Sequence, residues 1–144
     1  TYLNPRRADL FATSFCLQVA RIEARKLDCL RHGNLDSVRT IVDVRDAVRS
    51  FWMALEQGTP GEVYNIGGTT TMSVRDFLEL LKTKAMCRIE TVLDEKLLRP
   101  VDVSLQIPDV TKFSKATGWT PHFNFEQSVE FLLDECRAWV SEEC

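Results

Sequence analysis

RTIVDVRDAVRSFWMALEQGTPGEVYNIGG, residues 39–68, reads as a strand, a helix and a second strand in close succession, and that order decides the fold class. Behind Arg39, the β-branched run Thr40, Ile41 and Val42 reads as a short strand. Asp43 stands at a helix-capping position, and Asp46 follows at the spacing from which a carboxylate reaches back to the cap. Val44, Ala47, Val48, Phe51, Trp52 and Leu55 then recur at helical spacing and predict one apolar, core-facing stripe. Gly58 ends the helix, Thr59-Pro60-Gly61 turns the chain, and Val63 to Ile66 predicts a buried strand running into Gly67-Gly68.

The flanks repeat the alternation. Residues 1–10 form a polar loop carrying Arg6 and Arg7, and a helix is predicted from Phe11 to about Leu30, capped by Asp9, with Cys16, Val19, Ala20 and Leu27 on its buried side. Arg31 to Asp36 reads as a turn. On the other side, Ser73 and Asp76 make a capping-box start for a helix with Val74, Phe77, Leu78 and Leu81 inward. A strand is predicted within Arg88–Leu93, then a kinked segment, Leu98-Arg99-Pro100-Val101-Asp102. Asp109–Thr117 predicts a short helix closed by Gly118. Asn124 caps the last helix, with Gln127 at the capping-box position and Val129, Leu132, Leu133, Cys136 and Val140 as its stripe. The class is α/β, mostly helices with a few short strands.

A chain of 144 residues, 44% hydrophobic, supports one core, so residues 1–144 are expected to form one domain or part of one. A formal net charge of -3 argues against a nucleic-acid binder. No apolar run approaches membrane-spanning length, which argues against a membrane partner. Cys16, Cys29, Cys87, Cys136 and Cys144 form no C-x-x-C pair, and only His32 and His122 stand beside them, so no metal site is expected. Reduced thiols in a cytoplasmic protein are the expectation.

There is no G-x-G-x-x-G, no P-loop and no G-x-S-x-G, and the chain by itself carries no catalytic constellation. Positive residues beside turns are what chemistry there is. Arg39 follows the Gly33-Asn34-Leu35 turn, and Arg99 is held extended by Pro100. Two guanidiniums from separate loops can clamp a diphosphate, each offering a planar fork to phosphate oxygens. Asp102 can accept from ribose hydroxyls, and Asn34 can read a base edge. Equally, each arginine can be solvated or in a weak surface pair, Asp102 can cap a turn, and Asn34 can serve turn geometry alone.

The segments GNLDSVRTIVDVRDAVRSFWMAL, EVYNIGG, MSVRDFLELL, LRPVDV and DVTKFSKATGWTPHFNFEQSVEFLL follow one another in a familiar order. Together they resemble the C-terminal part of extended short-chain dehydrogenase/reductases acting on nucleotide sugars, most nearly the GDP-mannose 4,6-dehydratases and their reductase neighbours. The resemblance runs from NPRRADLF to the last helix. It implies an extended Rossmann-type fold whose N-terminal dinucleotide-binding part, with the NADP or NAD site and the catalytic residues, is absent from this chain. It also implies that Arg39 and Arg99 contact the diphosphate of a GDP-sugar, that Asp102 stands where the family has a ribose-binding Glu or Asp, and that Asn34 and Leu35 line the guanine side. Asp102 in place of Glu shortens the reach by one methylene and keeps the acceptor. The implied partners are a GDP-sugar, the chain's own N-terminal Rossmann domain and further copies of the enzyme.

Three functions are therefore set against one another. The first is the substrate-binding portion of a dehydratase that converts GDP-mannose to its 4-keto-6-deoxy sugar with a bound nicotinamide. The second is part of another nucleotide-sugar epimerase, reductase or decarboxylase. The third is a non-catalytic module binding a nucleotide or a protein.

Overall fold

A computed structural model describes residues 1–143. The reduced state expected of Cys144 lies outside those residues; Cys16, Cys29, Cys87 and Cys136 are free thiols. In chain order the elements are β1 (Tyr2–Leu3), α1 (Phe11–Glu23), β2 (Leu30–His32), β3 (Val38–Asp43), α2 (Val44–Gln57), β4 (Thr70–Ser73), α3 (Val74–Lys84), β5 (Thr91–Leu93), a 3-10 turn (Glu95–Leu97), β6 (Leu105–Gln106), α4 (Thr111–Thr117) and α5 (Phe125–Glu142).

β3 is the strand on which the sheet is built. It pairs antiparallel with β4 (Arg39 opposite Met72) and parallel with both β1 (Tyr2 opposite Val42) and β6 (Arg39 opposite Gln106). β2 and β5 form a separate parallel pair. Alternation along β3 sends neighbouring residues to different cores. Ile41 joins the main core, where α1, α3 and α5 pack with Leu3, Phe77 and Leu132, while Val42 joins a smaller cluster with Phe113 and Trp119.

Several local readings hold. Asp43 caps α2 by accepting from the Arg45 N–H at 2.8 Å, and Ser73 and Asp76 form a reciprocal capping box on α3. Asn124 caps α5 through the Gln127 N–H, and Gly118 ends α4 in the left-handed conformation with φ 65°. The inward stripes of α3 and α5 are buried as read.

Other readings are corrected. The first helix ends at Glu23, because Arg25 turns left-handed at φ 57°, and Leu10 rather than Asp9 is at its N-cap; Asp9 pairs with Arg7 instead. Leu30 to His32, read as the end of that helix and the start of a turn, is a strand, since β5 lies alongside to pair with it. Asp46 does not reach back to its own cap; it is drawn forward by the backbone N–H groups of His122 and Phe123. Val63–Ile66 is not a strand, having no strand beside it among the described residues.

The largest departure is α2, whose buried side is Asp46, Ala47 and Ser50. Of the predicted inward stripe Ala47 is buried, but its larger members point out, with Val48 60%, Phe51 56%, Trp52 61% and Leu55 77% exposed. The periodicity is right and the direction is reversed.

Candidate substrate cleft

Two segments far apart in the sequence meet at the N-terminal end of β3. One is the turn 33–37 that leads into the strand; the other is the irregular run 98–104 between the 3-10 turn and β6. The turn is fixed from behind, where the carbonyls of Leu35 and Ser37 accept the first N–H groups of α3, those of Arg75 and Val74, each at 2.9 Å. The second segment is anchored by the Val38 N–H bonding to the Ser104 carbonyl at 2.7 Å and by the pairing of β6 with β3.

Between them lies an open cleft of about 470 Å³, lined by Arg31, His32, Asn34, Ser37, Arg39, Arg99 and Asp102 with Phe11 and Val101 as apolar wall. That volume lies in the range of small-molecule sites. Asp102 is its polar centre. Its Oδ2 accepts from Ser37 Oγ at 2.7 Å and from Asn34 Nδ2 at 2.8 Å. Its Oδ1 has Arg39 Nη2 at 3.5 Å. The Ser37 hydroxyl and the Asn34 amide, with the Arg39 and Arg99 charges beyond, hold the Asp102 carboxyl below its usual range. It therefore remains an acceptor through any neutral or mildly acid pH.

Arg39 is held low in the cleft, its side chain 14% exposed, with Nη1 donating to the Val38 carbonyl at 2.9 Å. The Asp102 contact at 3.5 Å leaves the far edge of its fork only weakly engaged, which is the arm a phosphate oxygen would take. Arg99 is exposed on the opposite lip. Chemically the cleft offers two cations, Arg39 and Arg99, and one ionised acceptor, a set suited to a diphosphate joined to a polyol.

Of the five residues read from the sequence, four line this cleft. Leu35 does not: it is 9% exposed and belongs to the main core, because its side chain turns under the loop while its carbonyl receives α3. Sequence reasoning missed Ser37 and Arg31. Ser37 gives no local signal, since its partner is 65 residues away. His32, read as a surface turn residue, stands at the end of β2 and lines the same cleft. Among the described residues no group of three potential ligands converges to hold a metal ion, and no helix is long and apolar enough to cross a membrane.

Comparison with known proteins adds the following. The family model described as GDP-mannose 4,6 dehydratase matches residues 2–132. The chain is 27% identical over 144 residues to the GDP-6-deoxy-D-mannose reductase of Pseudomonas aeruginosa, covering 99% of this chain and 47% of that protein. It is 28% identical over 150 residues to the GDP-mannose 4,6 dehydratase of Drosophila melanogaster, covering 90% and 38% respectively. Among solved structures, RMD from Pseudomonas aeruginosa complexed with NADPH superposes with a TM-score of 0.87 at 25% identity, over 96% of this chain and 46% of that one. The chain thus spans less than half the length of the relatives it matches.

Proposed function

The chain belongs to the GDP-mannose 4,6 dehydratase family, and from that premise we propose that it is the substrate-binding portion of a GDP-mannose 4,6-dehydratase-like enzyme. The observation that carries this reading is the convergence of Asn34, Arg39, Arg99 and Asp102 on one cleft from two distant segments. In this proposal Arg39 and Arg99 clamp the diphosphate, Asp102 accepts from the ribose, and Asn34, whose amide is bonded to Ser37, Asp102 and the Asp36 N–H, lines the guanine side without reading its edge. Binding energy collected at the nucleotide, remote from the reacting carbons, then orients the sugar.

The nicotinamide of such an enzyme, NADP or NAD, supplies the hydride chemistry. This chain has no glycine-rich dinucleotide loop, so its residues do not fit that cofactor. Its place, with the catalytic residues, is assigned to an N-terminal Rossmann domain. The outward stripe of α2 supports this: Phe51, Trp52 and Leu55 form an apolar face of the kind that another folded unit covers. A further copy of the enzyme is part of the same proposal, as is a cytoplasmic location.

Arg39→Ala in the intact enzyme should weaken GDP-sugar binding by about a hundredfold, the loss of a half-buried charge-assisted contact. Unchanged KM and kcat would remove Arg39 from the clamp. Competition between GDP and UDP for the site tests the base assignment. The similarity to the reductase favours a second reading, in which the same cleft serves a GDP-4-keto-6-deoxy sugar. Supplying GDP-mannose separates the two: a dehydratase forms the keto sugar without net use of reduced cofactor, and a reductase leaves GDP-mannose untouched.

A further inference from the structure

We propose that Ser37 is a positioning residue of the substrate cleft, which locks Asp102 so that one carboxylate oxygen is presented to the ribose diol of the nucleotide. This rests on the nucleotide-sugar reading above and adds a residue to it. Ser37 is buried, 2% exposed, at the entry to β3. Its hydroxyl has one proton, and that proton goes to Asp102 Oδ2 at 2.7 Å; its lone pair receives Asn34 Nδ2 at 3.2 Å. Its one proton is committed and the residue is buried, so Ser37 presents no donor to a ligand and acts through Asp102.

The consequence is an asymmetric carboxylate. Oδ2 is occupied twice, by Ser37 and Asn34, whereas Oδ1 has only Arg39 Nη2 at 3.5 Å. Pinning one oxygen fixes the plane of the group and leaves Oδ1 as the acceptor facing the cleft. The need for such a pin is visible in the backbone. Asp102 rides on an irregular segment whose neighbours Val101 and Val103 are 87% and 57% exposed, so packing does not hold it. An aspartate arm, one methylene shorter than glutamate, has to be held close to β3 to be useful, and the Ser37 hydroxyl is on the β3 side to do that. Because Arg99 is on the same segment, the bond also limits how far that guanidinium swings.

The test uses the intact protein and calorimetric titration with GDP, UDP and 2′,3′-dideoxy-GDP. Ser37→Ala should weaken GDP binding roughly tenfold, the value of one buried charge-assisted hydrogen bond. The same substitution should leave dideoxy-GDP binding unchanged, since that ligand has no diol for Asp102 to meet. The double variant Ser37→Ala with Asp102→Glu should recover most of the lost affinity, the longer arm replacing the missing anchor. Equal loss for GDP and dideoxy-GDP, or no recovery in the double variant, would overturn the positioning role and make Ser37 a packing residue. Full affinity in Ser37→Ala, with loss in Asp102→Ala, would also overturn it while leaving the nucleotide site intact. If the unaltered protein binds neither GDP nor UDP, the nucleotide-sugar reading fails and this inference fails with it.

Discussion

Glu23, the last residue of α1, receives both arms of Arg137 from α5, Nε to Oε2 and Nη2 to Oε1, each at 2.8 Å, and the Met86 N–H at 2.9 Å. Burial pushes its carboxyl up, but the Arg137 and Met86 bonds outweigh burial and hold it below the ordinary glutamate value. As pH falls, the unfolded chain therefore takes up this proton before the folded one does. The pair's stabilisation is complete above the ordinary glutamate value and is lost as pH drops through the depressed folded value. Glu23→Gln should cost about 2 kcal/mol at neutral pH, a charge-assisted pair traded for a neutral one. Urea unfolding at neutral pH and in acid should show that difference shrinking towards zero as Glu23 of the unaltered protein takes up its proton and becomes, like Gln, uncharged. None of this was legible from position 23 alone, because its partner is 114 residues away.

At the scale of elements, Asp46 decides how α2 meets α5. Its side chain is 1% exposed and takes the N–H groups of His122 and Phe123 at 3.0 Å each, along with Arg49 Nη2 at 3.3 Å. A carboxylate in the first turn of α2 thus fixes the loop that delivers Asn124 to cap α5. Asp46→Ala should destabilise the fold by about 3 kcal/mol, since it leaves two backbone donors without an acceptor. The urea midpoint should fall with an unchanged slope, and Asp46→Asn should recover part of the loss through its remaining carbonyl oxygen. The sequence showed Asp46 at capping-box spacing, which was a true local signal with a false partner. Two nearby backbone donors compete for one carboxylate, and only the path of the chain through 121–123 says which wins. Gly68, the second of the two glycines after Val63–Ile66, shows the same dependence. A Cβ on Gly68 would come within 1.7 Å of the Ile41 carbonyl oxygen, so this residue must be glycine for β3 to pass.

For the whole molecule, the exposed stripe of α2 sets the behaviour of the chain in solution. Val48, Phe51, Trp52 and Leu55 present apolar area that a folded protein normally covers. Prepared as residues 1–144, the chain should self-associate in sedimentation velocity, and Trp52→Asp should reduce that association while moving the thermal midpoint by only a few degrees. In an intact enzyme whose Rossmann part covers α2, the same substitution should destabilise by about 3 kcal/mol. Equal association of both chains would show that the stripe is not the sticky face. What the sequence by itself determined was the local order: the α/β class, the caps at Asp43, Ser73 and Asn124, and the stripes of α3 and α5. Those features are written within a few residues of one another, in periodicity and capping chemistry. What only the tertiary structure decided was direction and company. α2 turns its larger stripe outward, Leu35 goes to the core, Val63–Ile66 has no strand beside it, and Ser37 meets Asp102. Periodicity says that a helix has two faces, whereas which face is covered depends on what folds against it, and that is set by contacts distant in sequence.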